Sequence, residues 1–134
     1  FLRRAGADTA EVKKLFQNDL EGTIAKYAII QNAKLYREKI AIAVVDHTVG
    51  RIVAAQAADE LLNIIGIDTS FVLYPDGERV IISARSMGDT NVQVILEKLG
   101  GGGNAAAAGG QISGKSLSQV ATELTQAIDQ YLEG

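Results

Sequence analysis

Hydrophobic residues are spaced in helical and in strand-like ways by turns along this chain. Near the start, Val12, Leu15 and Phe16 fall three and four apart, the helical spacing. Asp8-Thr-Ala-Glu11 reads as a capping box opening that short helix. Asp19 is placed to cap a second helix running to about Ile29. Lys34-Leu-Tyr36 fits a short strand. Ile40 to Asp46 is an unbroken apolar run ending in a polar turn, the mark of a strand buried on both faces. Arg51 to Ile65 returns to helical spacing, with Gly66 as its stop. Ser70 to Tyr74, then Pro75-Asp-Gly77, then Val80 to Ser83 reads as a hairpin. Asn91 is placed to cap a helix from Val92 to Leu99, ended by Gly100. Ser116-x-x-Gln119 is a further capping box, opening a last helix to about Leu132.

Helices, strands, helix, hairpin, helix, glycine loop and helix, in that order, predict an α/β domain with one mixed β-sheet flanked by helices. The length of 134 residues fits a single domain spanning 1–134. The chain opens on Phe1, and Phe1-Leu-Arg-Arg4 resembles the end of a linker or helix, so we read it as the C-terminal piece of a longer protein. No apolar run approaches the about 18 residues of a membrane span. There is no cysteine, hence no disulfide or thiolate chemistry. Charge is uneven: residues 1–40 carry eight Lys/Arg against five Asp/Glu, and residues 41–134 carry five against eleven. That balance argues against a protein that holds long nucleic acid by neutralising phosphates. It leaves room for a small anion held by a few placed groups.

Two phosphate motifs overlap between Gly100 and Ser116. Gly109-Gly-Gln-Ile-Ser-Gly-Lys-Ser116 matches the P-loop pattern. A P-loop needs a strand to deliver it, and Ala105 to Ala108 offers no strand-forming residue. Only eighteen residues follow Ser116, too few for the rest of a nucleotide-binding sheet. We therefore read the segment as a loop and a helix cap. Gly100 to Gly103 is harder to dismiss. One glycine ends a helix, whereas four leave the backbone bare, and bare N–H groups can approach a phosphate closely. Asn104 is placed to cap a helical turn through the alanines. A flexible loop is the alternative reading.

Ser83-Ala-Arg85-Ser86 falls where the hairpin gives way to the Asn91 helix. An arginine in a sharp connection suits bidentate phosphate binding, and Ser83 and Ser86 add hydroxyls. An ordinary surface arginine remains the alternative. Asp46-His47 reads as a strand-end turn; His47 is the only histidine, and a metal site needs several converging ligands.

Ile82-Ser-Ala-Arg-Ser86, Gly88-Asp-Thr-Asn-Val-Gln93, and Leu99 followed by glycines together resemble the DHH-associated substrate-binding domain of DHH phosphodiesterases. Phe1 to Asp8 and Ala55-Gln-Ala-Ala-Asp59 resemble the GdpP-type cyclic di-AMP phosphodiesterases in particular. The resemblance implies a DHH-associated-domain fold. It implies a substrate site at Ser83, Arg85, Ser86, Gly101, Gly102, Gly103 and Asn104. It implies an adenine dinucleotide as partner, cyclic di-AMP or its linear product, and hydrolysis by a manganese-binding DHH domain upstream of Phe1. This chain then carries no catalytic residue, metal or cofactor of its own. The resemblance implies a cytoplasmic domain whose parent can be anchored in the membrane by upstream segments. The family usually has histidine where this chain has Asn104, and polar residues where it has alanines. The same domain also serves nucleases of the RecJ or oligoribonuclease kind, and RNA-binding modules such as the one appended to alanyl-tRNA synthetases.

Overall fold

The computed structural model describes residues 9–134. The chain forms α1 (Thr9–Gln31), β1 (Ala33–Tyr36), β2 (Ile40–Val44), α2 (Arg51–Leu61), β3 (Thr69–Asp76) and β4 (Arg79–Ser86). It continues with α3 (Val92–Glu97), β5 (Gly102–Gly103), β6 (Ala107–Ser113) and α4 (Leu117–Glu133). One six-stranded sheet has the order β1-β2-β3-β4-β6-β5. β2 and β3 run parallel, joined through α2; the other neighbours are antiparallel. The mixed α/β architecture is the one the apolar spacing predicts.

Each sheet face has its own core. On one face α3 and α4 cover Phe71, Leu73, Ile82 and Ala84, and contribute Ile95, Leu96, Leu124 and Ile128. On the other, α1 and α2 cover Val72, Tyr74 and Ile81 with Ile29, Ala54, Ala57, Ala58 and Leu61. Alanines along the buried side of α2 allow the helix close to the sheet. The buried Ser70 hydroxyl donates to the Ala58 carbonyl at 2.6 Å, so the polar group costs nothing there.

Five expectations are corrected. The first segment is one helix, not two, and Asp19 lies inside it. No proline or glycine stands between Glu11 and Asp19 to stop a helix, and a capping residue without a preceding stop stays helical. Asp8 and Phe1 to Arg4 lie outside the described residues. α2 ends at Leu61 rather than Ile65. Beyond it Asn63 and Ile64 donate to carbonyls three residues back, a tightening turn, and Ile65 is fully in solvent. Arg85 lies within β4 rather than in the connection after it, because the hairpin strands extend three residues past Ser83. Ala107 and Ala108 begin a strand, not a helical turn. Gly109 to Ser113 of the P-loop match therefore belong to β6, paired along β4, and only Gly114 and Lys115 form a turn before the Ser116 cap. Small residues suffice in β6 because it packs between β4 and β5, where neighbouring backbones set its conformation.

Candidate functional site

α1 and α2 cover only part of their sheet face. They lie over β2 and β3 and the near side of β4, and among the described residues no helix covers β6 and β5 on this face. Between α2 and that bare portion runs a groove of about 430 Å³, lined by Arg51, Tyr74, Ser83, Arg85, Gly109 and Gln111 among others. This volume lies within the usual range for small-molecule sites.

Strand alternation decides which predicted residues meet there. Ser83 and Arg85 are two apart on β4 and share the groove face. Ser83 pairs with Gly109, which pairs with Gly102, so one cross-strand row carries a hydroxymethyl and two hydrogens. The sheet floor is bare along that row. Ser86, one residue further, points to the opposite face, is buried, and accepts a hydrogen bond from the Gly88 N–H at 3.3 Å. Its hydroxyl is not brought to the groove.

Three of the four glycines have reasons internal to the fold. Gly100 adopts φ +88 after α3. Its N–H donates to Glu97 and the Gly101 N–H to Leu96, the paired bonds of a Schellman stop. A Cβ on Gly101 would stand 2.4 Å from the Gly109 carbonyl oxygen, and one on Gly103 2.5 Å from the Ala107 oxygen. Gly102 alone has neither a positive φ nor a neighbour within 4 Å of such an atom. Of the run, Gly102 is the residue whose bareness serves nothing inside the domain.

Asn104 closes the β5–β6 hairpin. Its Oδ1 accepts from the Ala106 and Ala107 N–H groups, both at 2.9 Å, and its own N–H donates to the Ala107 carbonyl at 2.8 Å. The expected capping chemistry is present, but it caps a turn rather than a helix. Its side-chain NH₂ has no protein partner among the described residues.

Arg85 is anchored twice. Nε donates to Asp59 Oδ1 at 3.0 Å and Nη1 to the Ala84 carbonyl at 2.8 Å. Nη2 meets no protein acceptor among the described residues, which leaves donors for an anion in the groove. Asp59, on the last turn of α2, was not among the residues singled out from sequence as binding groups. Its clue is position: it follows Ala57 and Ala58, which face the sheet, so it stands at the rim of the buried side. Tyr74 and Gln111 were also missed. Burial pushes the Tyr74 phenol up, opposed by nearby Arg51 and aided by Asp76. Asp46 and His47 lie in the exposed loop after β2, with His47 Nδ1 3.1 Å from Asp46 Oδ1.

A model of the DHHA1 domain matches residues 37–134. The chain belongs to the DHHA1 domain family. Along its whole length this DHHA1 chain is 41% identical to the cyclic-di-AMP phosphodiesterase GdpP of Bacillus subtilis, over 139 residues. It is 38% identical to the cyclic-di-AMP phosphodiesterase PdeA of Listeria monocytogenes, over 137 residues. It covers 21% of each, so the chain spans about a fifth of the length of these relatives. Among solved structures, an exopolyphosphatase-related protein from Bacteroides fragilis shares the fold, with TM-score 0.73 and 21% identity. That match covers 82% of this chain and 34% of the other. The DHHA1 model begins at residue 37, so α1 and β1 lie outside it while remaining inside the match to the phosphodiesterases.

Proposed function

We propose that this domain holds cyclic di-AMP, or its linear product, in the groove beside Arg85, and presents it to a catalytic centre on another part of the same polypeptide. The observation that carries the reading is the groove itself: an anchored guanidinium with open donors beside a stretch of floor, the row of Ser83, Gly109 and Gly102, that carries nothing larger than a hydroxymethyl. An anionic phosphate suits the first and a flat purine suits the second. The identity to two cyclic-di-AMP phosphodiesterases along the full chain supports this choice of ligand. The acidic balance after residue 40 argues against a long polyanion in the same groove.

The manganese expected of the parent has no fit here. Among the described residues no three His, Cys, Asp or Glu side chains are grouped to hold a metal. The proposal therefore leaves hydrolysis to a DHH domain elsewhere in the polypeptide and gives this domain the work of positioning. The face of α1 supports a partner within the same protein. Leu15 and Phe16 are each 68% exposed, and Ile24 is 59% exposed, on a helix that the family model does not include. No helix among the described residues is long and apolar enough to cross a membrane. The proposal puts the domain in the cytoplasm and any membrane anchor in the rest of the parent.

Titration of this chain with cyclic di-AMP, its linear product and a short RNA tests the reading. The dinucleotides should bind, the RNA should bind less well, and none should be hydrolysed with manganese present. In the longer parent, Arg85→Ala should raise KM. Unchanged affinity and rate in that variant would sink the site assignment.

A further inference from the structure

We propose that the end of the groove away from Arg85 is a second anion subsite, built by Arg51, Tyr74 and Gln111, which takes the second phosphate of a dinucleotide. The inference rests on the reading that the groove binds a dinucleotide.

Its geometry follows from the sheet register. Tyr74 pairs with Ile81, and Ile81 with Gln111, so Tyr74 and Gln111 lie in one cross-strand row on the groove face. Arg85 lies four residues along β4 from Ile81, about 13 Å at the strand rise. Arg51, the first residue of α2, lines the groove at the Tyr74 end, where it draws the Tyr74 pKa down against the effect of burial. Two arginines therefore stand at the two ends of one groove. Arg85 is tied to Asp59. Arg51 makes no ion pair and no side-chain hydrogen bond among the described residues.

The neighbours of Arg51 offer donors rather than acceptors. Arg79 Nη1 lies 2.7 Å from Gln111 Oε1. A guanidinium can only donate, so the amide oxygen must face it and the two N–H bonds of Gln111 must turn the other way. The Tyr74 hydroxyl finds no protein acceptor among the described residues, and a phenol keeps its proton at neutral pH. The carboxylate beside this row, Asp76, is engaged by Arg79 at 3.5 Å. Three donor groups without an acceptor of their own are the complement of a phosphate, which brings only acceptor oxygens. Bound at both ends, a dinucleotide is measured by the distance between its phosphates. A mononucleotide can use only one end.

The test is made in the longer parent protein, with cyclic di-AMP and AMP as probes and binding followed by calorimetry. Arg51→Ala should weaken cyclic di-AMP about tenfold, the scale of one charged hydrogen bond, and leave AMP unchanged. Arg51→Lys should recover part of the loss, and Gln111→Leu should weaken cyclic di-AMP in the same selective way. Equal losses for both ligands would reduce Arg51 to a long-range charge, and no loss for either would remove it from the site; both outcomes overturn the proposal. Arg85→Ala should weaken both ligands. Loss of neither in that variant overturns the reading of the groove itself, a result distinct from the other two.

Discussion

Arg85 is held by Asp59 through Nε at 3.0 Å, while Nη1 reaches back to the Ala84 carbonyl. Two anchors on one planar group fix its plane as well as its position. Asp59 is 64% exposed, so the pair is screened and adds little to stability. Its consequence is orientation. Asp59→Ala in the parent should raise KM for cyclic di-AMP several-fold, with kcat and Tm nearly unchanged. Asp59→Asn keeps an acceptor oxygen in place and should restore KM. A fall in Tm with KM untouched in the alanine variant would show that the pair is only structural.

The glycine run separates into positions that the fold requires and one that it does not. Gly101→Ala and Gly103→Ala each force a methyl into backbone atoms of β6. Each should cost about 1–3 kcal/mol, or several degrees in Tm. Gly102→Ala meets nothing within 4 Å and should leave Tm unchanged. It adds a methyl to the bare row with Ser83 and Gly109, so it should weaken dinucleotide binding. Thermal scans of the three variants, followed by titration of the Gly102 one, check both halves. A Gly102→Ala variant that binds normally removes that row from the ligand's footprint.

The legible parts of the sequence were those whose local signal matches one structure only. Asn91 caps α3 through bonds to the Gln93 and Val94 N–H groups, and Ser116 forms its capping box with Gln119. The apolar run from Ile40 marks β2, and Ser70 to Ser83 marks the central hairpin. β6 was not legible, because Ala107-Ala-Gly-Gly110 carries no strand preference and is extended only by pairing with β4. Asn104 was half legible: a side-chain oxygen aimed at following N–H groups serves helix caps and tight turns alike. In the site, Arg85 was visible as an arginine between serines. Asp59, Tyr74 and Gln111 were not, since they join it only through the sheet register and the position of α2.

α1 yields a prediction that depends on the rest of the polypeptide. Leu15 and Phe16 are exposed in this chain, so Phe16→Asp should change its stability by no more than about 0.5 kcal/mol. In the parent, the proposal has this face covered by another part of the protein. Burying an unpaired carboxylate there should lower the parent's Tm by several degrees. Equal, negligible shifts in both proteins would mean that the face stays in solvent.

Tyr36 and Asp129 tie the β1 end of the sheet to α4, and the tie is sensitive to pH. The Tyr36 hydroxyl donates to Asp129 Oδ1 at 2.7 Å. That bond, with burial and the Asp129 charge, raises the phenol above its ordinary range, against a smaller opposing effect of Arg37. A raised pKa means that the folded state holds the proton more tightly. The stabilisation is therefore complete below about pH 10, the unfolded value, and is lost as pH climbs through the folded one. Tyr36→Phe should be less stable than wild type at neutral pH, and the gap should close above about pH 10. Tyr74, raised by burial, destabilises both proteins alike at high pH, so the difference between the two Tm curves isolates Tyr36. A gap that stays constant across the alkaline range would show that the hydroxyl contributes nothing through Asp129.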